Sequence, residues 1–280
     1  MAEVRLVVGV RDPDVSQQSD SRWLRTAQLR ALDGFAEERM AQALANAAAL
    51  PAQVTRLLCQ AVASIDHVPM TPSLAEQLLP VDRQLLMLKL AQRLDGDQVW
   101  LQAHCVHCHE PFDLSYQRSD LPVTTVEQAN LSKVLVQGVR VKLQQSECHF
   151  RVPTGADQTA ISACAEEQAL PVLLQRLLLP GSQLPEPLQH DDIERIAEAL
   201  ESATPQLPQA MFTACPECGM EQYVGLNLYQ LQGASQSQLL REVHYLASHY
   251  HWHEADILAL PRQRRHQYLS MIDESGGQHG

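Results

Sequence analysis

The sequence predicts an α+β fold: a helical N-terminal region, two strand–turn–strand units each closed by a cysteine pair, a β-hairpin and helix insert between them, and a C-terminal helical segment. Three observations carry this. Apolar residues recur at helical spacing before Asp97; the pattern changes to alternation around "HCVHCH" (His104–His109) and again around "ACPECG" (Ala214–Gly219); and helical spacing returns after each change. The chain divides accordingly into a helical region 1–96, a first hairpin 97–120, an insert 121–204, a second hairpin 205–232, a helical segment 233–272 and a disordered tail 273–280.

Thr26 to Asp66 reads as helix, with Val54, Leu57, Leu58, Ala61, Val62 and Ile65 on one stripe behind Pro51. "PVDRQLLMLKLAQRLDGD" is a second helix, with Asp82 placed to cap it, Gly96 at its end, and apolar residues on almost every side, as a central helix requires. "QVWLQAHC" and "PFDLSY" then alternate. So does "VRVKLQQSECHFRV", where Val139, Val141 and Leu143 share one face and Arg140 and Lys142 the other. Helices are expected from Asp157 to Leu179, interrupted by Pro171, and from Asp191 to Ser202. "SQLLREVHYLASHYHW" and "HEADILALPRQRRHQYLSMI" close the chain as short helices.

With 45% hydrophobic and 19% charged residues the composition is that of a globular protein. The net charge of −12 supplies no basic field for a phosphate backbone, which argues against a nucleic-acid partner. The apolar run Leu6–Val10 is too short for a signal-peptide core or a membrane span, so the expectation is a cytoplasmic protein without a membrane partner.

Seven cysteines, with no export signal, do not suggest a disulfide framework. Cys59, Cys148 and Cys164 stand alone in apolar patterns. The other four are two Cys-x-x-Cys turns between alternating strands, and a tetrahedral cation takes two thiolates from each such turn. The expected cofactor is structural Zn2+ held by Cys105, Cys108, Cys215 and Cys218, a zinc ribbon split by the insert. His104, His107 or His109 could replace one thiolate, and a chain without metal stays open. Redox pairs open a helix in thioredoxin-like units, unlike these.

No phosphate loop, dinucleotide glycine fingerprint or Gly-x-Ser-x-Gly turn is present, so no catalytic residue is assigned. "SHYHWHEAD" lacks the His-Glu-x-x-His pattern, since Ile257 stands three after Glu254; His249 and His253 could share a metal only if one helix runs through both. The aromatic pair Tyr250 and Trp252, with Arg262, Arg264 and Arg265, is the candidate partner-binding patch, because Tyr, Trp and Arg dominate interface anchors. A closed four-thiolate shell leaves no place for catalytic water, which sets a third possibility, a zinc hydrolase, behind a binding role.

Four segments together resemble a known family, the T4-type baseplate hub assembly chaperones and baseplate proteins of contractile phage tails and related injection systems. They are "LRALDGFAEERM", "LPVDRQLLMLKLAQRLDGDQVWLQAHCVHC", "FRVPTGADQTA", and "CPECG" followed by "EVHYLASHYHWHEADILALPRQRRHQYL". The resemblance spans nearly the whole chain. Val81-Asp82-Arg83 stands where Gly-Asp-Arg is the pattern, and His109 where glycine is more usual. What the resemblance implies is a non-enzymatic assembly chaperone or minor baseplate component, contacting hub or wedge subunits in the bacterial cytoplasm or carried into the tail particle. The alternative is a zinc-ribbon adaptor in transcription or RNA metabolism.

Overall fold

A computed structural model describes residues 2–14, 22–45, 49–144, 146–231 and 235–276. The fold is α+β, and the first correction lies in the region expected to be helical. Strand β1 (Ala2–Arg11) pairs antiparallel with β2 (Trp23–Leu29) before helices α1 (Gly34–Ala45) and α2 (Leu50–Ala61); β3 (Val62–Ile65) and β4 (Val68–Pro69) follow, giving a sheet of order β1-β2-β3-β4. The helical reading failed for a physical reason. Leu29, Leu32, Ala36 and Met40 are all buried and stand at helical intervals, although Leu29 belongs to a strand. Likewise Val54, Leu57, Leu58 and Ala61 face inward from α2, and Val62 and Ile65 prolong the stripe as residues of β3.

Helix α3 (Pro72–Gln77) is capped by Thr71, whose Oγ1 accepts the Leu74 N–H at 3.2 Å. Helix α4 (Pro80–Asp95) is central as expected and ends at Gly96, φ +87°. Asp82 does not cap it. Its carboxylate reaches across to β1, where the register shifts between Arg5 and Val10, and accepts the N–H groups of Val7 (2.7 Å), Val8 (3.2 and 3.3 Å) and Gly9 (2.7 Å). Burial pushes the Asp82 carboxyl up from its ordinary value, against the pull of those three donors. Arg83 is also buried: Nη1 donates to Thr55 Oγ1 (3.1 Å) and the Ala75 carbonyl (2.8 Å), and Nη2 to the Pro51 carbonyl (2.8 Å).

The first cysteine hairpin is β5 (Gln98–His104) with β6 (Pro111–Gln117). The insert follows: α5 (Gln128–Gln137), which the periodicity did not single out, then β7 (Val139–Lys142) paired with β8 (Glu147–Phe150), and helices α6 (Gly155–Ser162), α7 (Glu166–Leu177) and α8 (His190–Ala203). Val139 and Val141 face inward and Arg140 and Lys142 outward, as their alternation requires. Pro171 lies inside α7 and does not break it; the interruption falls between α6 and α7. Phe150, Leu174, Leu177 and Ile196 of the insert share one core with Val8 of β1 and Leu79, Val81 and Leu88 of the α4 segment. The insert therefore packs onto the body.

The second cysteine hairpin is β9 (Ala210–Ala214) with β10 (Glu221–Gly225). Helices α9 (Gln236–Tyr250), α10 (Glu254–Leu258) and α11 (Arg262–Gly276) form the C-terminal segment around Leu239, Val243, Leu246, Ile257, Leu258 and Ile272. Helix α11 includes residues 273–276, which shortens the expected tail; 277–280 lie outside the described residues. Helix α9 stops at Tyr250, with His251 in the left-handed region at φ +57°, so His249 and His253 do not share a helix. Among the described residues no helix is long and apolar enough to cross a membrane.

Candidate metal centre

Each hairpin ends in the same turn. At the first, the Cys105 N–H donates to the Glu110 carbonyl (3.0 Å) and the His109 N–H returns to the Cys105 carbonyl (3.0 Å); at the second, the Cys215 N–H donates to Met220 (2.9 Å) and the Gly219 N–H to Cys215 (2.9 Å). The position after each second cysteine needs a positive φ, which Gly219 adopts at +73° and His109 at +63°. That accounts for the histidine standing where glycine is usual: the turn keeps its conformation and His109 carries the strain of a left-handed backbone.

The two turns meet. Cys105 Sγ lies 3.6 Å from Cys218 Sγ, and Cys108 Sγ lies 3.8 Å from Cys215 Sγ, with all four sulfurs within 4.8 Å of one another. These pairs come from opposite turns, at sequence separations of 113 and 107. A disulfide would need about 2.05 Å, so these are free thiols in contact. Four sulfurs about 2.3 Å from a common centre form a tetrahedron with edges of about 3.8 Å, and the observed cross-turn spacings fit it. Among the described residues no histidine joins the group; His104, His107 and His109 are exposed around it.

The electrostatics are compatible with a cation. N–H groups of Cys108 and His107 aim at Cys105 Sγ, the second at 3.4 Å, and hold its thiol down at about 6. At Cys108 the Glu110 N–H favours the thiolate, but burial and the neighbouring sulfurs prevail and push it up to about 12. Cys218 is raised as well, its Met220 N–H outweighed by burial and the sulfurs of Cys105 and Cys215. One negative sulfur makes the next harder to ionise, so four thiolates need a shared positive charge. The two hairpins also touch beside the cysteines: the Val106 N–H donates to Gln222 Oε1 at 2.9 Å, tying the first turn to β10. Phe112 packs beneath Cys105 and Cys215.

Family models, curated proteins and solved structures were all compared with the chain, and none matches it.

The expected partner-binding residues separate into two groups. Arg262 and Arg265 are interior, 5% and 0% exposed, which corrects their reading as surface anchors. Arg262 pairs with Glu37 (2.8 Å) and Asp95 (2.5 Å), and Arg265 with Glu37 (2.9 Å) and Glu242 (3.0 Å). They fasten α11 to α1, α4 and α9. Arg264 is exposed, 5.7 Å above the Tyr268 ring, and Tyr250 and Trp252, half-buried, stack on each other and meet Tyr268 edge-on.

Exposed apolar surface lies elsewhere than expected. Leu240 and Tyr245 of α9, with Leu269, line an open groove of about 550 Å3. Phe212 and Tyr223 pair across β9 and β10, their rings 5.2 Å apart and tilted by 56°, and Trp100 projects from β5. One signal for the groove was available: Leu239 and Leu240 are adjacent, so α9 has an apolar residue on its exposed side as well as its buried one.

Proposed function

We propose that this protein is a non-enzymatic assembly factor, or a minor component, of the baseplate of a contractile phage tail or phage-tail-like injection system, working through protein–protein contacts and stabilised by structural zinc at the four cysteines. Zinc is the ion of choice because it accepts four thiolates in a regular tetrahedron and makes no redox demand on them. A shell completed by protein sulfurs holds chain together and leaves no position for substrate.

The observation that carries the assembly reading is how the segments of the resemblance fit each other. Gly155, from "FRVPTGADQTA", leaves space for Arg83, from "LPVDRQLL": a Cβ there would stand 2.4 Å from Nη1. Glu37, from "LRALDGFAEERM", receives both Arg262 and Arg265 from the last segment. Segments far apart in sequence thus fit into one another's buried surroundings, which supports reading them as parts of one pattern. The groove at Leu240 and Tyr245 is the surface best suited to a subunit, lined by Leu240, Tyr245 and Leu269 together with Arg241, Glu242 and His244.

Co-expression with hub and wedge subunits, affinity capture and metal analysis test the reading together. The expected result is one zinc per chain and co-elution of a hub or wedge subunit, with capture at least tenfold weaker for the Leu240→Asp/Tyr245→Asp variant, which keeps its zinc. If no subunit is captured in any pairing, the assembly role is wrong. One observation favours the zinc-ribbon adaptor, the solvent-facing Phe212–Tyr223 pair, because exposed aromatic faces stack nucleobases. Retention on single-stranded RNA at physiological salt, lost in Tyr223→Ala, would establish that reading instead.

A further inference from the structure

Strand β1 runs into Asp12-Pro13-Asp14, and His67 occupies the turn between β3 and β4. Because β2 is antiparallel to both β1 and β3, the end of β1 and the β3–β4 turn emerge at the same end of the sheet. Both are pinned. The Asp12 N–H donates to the Arg22 carbonyl at 3.0 Å, prolonging the β1–β2 pairing. In the turn, Asp66 adopts φ +47°, its Oδ2 accepts the Arg25 N–H at 2.7 Å, and its own N–H donates to Thr26 at 2.6 Å. His67 is thereby carried to the β1 side.

The result is three ligand-type atoms within 4.8 Å of one another. His67 Nε2 stands 3.7 Å from Asp12 Oδ2 and 3.6 Å from Asp14 Oδ2. These spacings are too long for hydrogen bonds. Ligands about 2.1 Å from a shared ion lie about 3.0 Å apart at a right angle and about 3.4 Å at the tetrahedral angle, so His67 needs to approach each carboxylate by only about 0.2–0.7 Å.

The independent pointer is Asp12. It is only 3% exposed, its Oδ1 takes the Asp14 N–H at 3.0 Å, and its Oδ2 faces the imidazole without a hydrogen bond. A carboxylate withdrawn from water requires a compensating positive charge or donor, and the imidazole facing this oxygen at 3.7 Å is within ion-pair range but too far to hydrogen-bond it. Asp14 and His67, by contrast, are exposed and able to move toward an ion.

We propose that Asp12, Asp14 and His67 form a second divalent-cation site, at the end of the N-terminal sheet, with water completing its coordination. A site dominated by carboxylate and water oxygens, with one imidazole, suits a hard first-row ion such as Mn2+, for which soft thiolates are poor ligands. The site stands apart from the cysteines and does not depend on the proposed assembly role.

The test is Mn2+ titration of the full chain with its cysteine centre loaded with zinc, reading free Mn2+ by electron paramagnetic resonance. One Mn2+ per chain is expected. Asp14→Asn and His67→Gln, both at exposed positions that the fold tolerates, should each weaken binding about tenfold or more, and Asp113→Asn on β6 should leave it unchanged. Absence of Mn2+ binding at millimolar concentration, or binding indifferent to both ligand substitutions, overturns the proposal.

Discussion

Removing the proposed zinc from the cysteine centre should open the two hairpin turns and leave the body folded. The size of the effect follows from what else holds the turns together. Among the described residues the hairpins share one backbone-to-side-chain bond, Val106 to Gln222, and a small core of Phe112, Cys105 and Cys215 with Ala103, Leu114 and Val224 packed against it. A hydrogen bond contributes about 1 kcal/mol and a buried Phe about 1.5–3 kcal/mol. Ordering the twelve residues of the loops Cys105–Glu110 and Cys215–Met220 costs about 12–24 kcal/mol at about 1–2 kcal/mol per residue. Protein contacts alone do not meet that cost, whereas structural zinc supplies about 10 kcal/mol or more. Hydrogen exchange with mass-spectrometric readout, before and after a strong chelator, measures the difference. Peptides containing the bonded amides of Cys105, His109, Cys215 and Gly219 should lose at least about three decades of protection, since 1.4 kcal/mol is a decade. Peptides containing the Gly155 amide, bonded to Leu78 in the body, should keep theirs. Unchanged protection of the turns in protein shown to be metal-free would refute the reasoning.

Asp157 is wholly buried; burial alone would raise its carboxyl, but Arg151 at 2.6 and 2.7 Å, the Thr154 N–H and Arg176 hold it down at about 2. Its depressed value contributes stability in full above about pH 4, lost as the pH falls through about 2, and worth about 2 kcal/mol at most because both arginines are more than a third exposed; Asp157→Asn should lower urea-unfolding stability at pH 7 by a comparable amount. Arg265→Ala leaves the buried carboxylates Glu37 and Glu242 with Arg262 and His266 as their respective remaining partners and, by breaking two buried pairs, should cost about 3–5 kcal/mol, while Arg264→Ala, one residue away and exposed, should stay within about 0.5 kcal/mol in the same assay. Gly155→Ala should cost about 1–3 kcal/mol by thermal unfolding, because Arg83 is bonded on two sides and has no room to retreat from the new methyl.

Both cysteine hairpins were legible because two signals coincide there, alternation that places one strand face inward and a ligand spacing that only a tight turn satisfies. Helix α4 was legible because apolar residues on nearly every side leave burial as the only outcome. The N-terminal sheet was not. The amides of Val7, Val8 and Gly9 leave the regular ladder to meet Asp82, up to 75 positions away, and no local pattern encodes such a partner. The arginines of α11 show the same limit. Arg262 and Arg265 stand three apart on one helix face, which spacing alone reveals, but their burial depends on Glu37, 225 and 228 positions distant. Without that carboxylate, an arginine-rich helix start reads as surface.

The split of the cysteine centre bears on how the chain assembles. Closing a loop of roughly 100 residues by a single clip constrains the unfolded chain by about 4–5 kcal/mol in the loop-entropy model. Here most of that closure is accomplished without the ion. Phe150, Leu177 and Ile196 of the insert share a core with Leu88 of α4, which leads directly into the first hairpin, and with Leu226 and Leu228, which directly follow the second. Once this core forms, the two turns are delivered to the same place, and the second pair of thiols reaches the first at high effective concentration. An ion held by one turn alone has two sulfurs and exchanges readily; the four-sulfur shell closes only on a chain whose insert has folded. Tight metal retention should therefore report completed folding, and a core substitution in the insert, far from any cysteine, should weaken metal affinity by as much as it destabilises the insert.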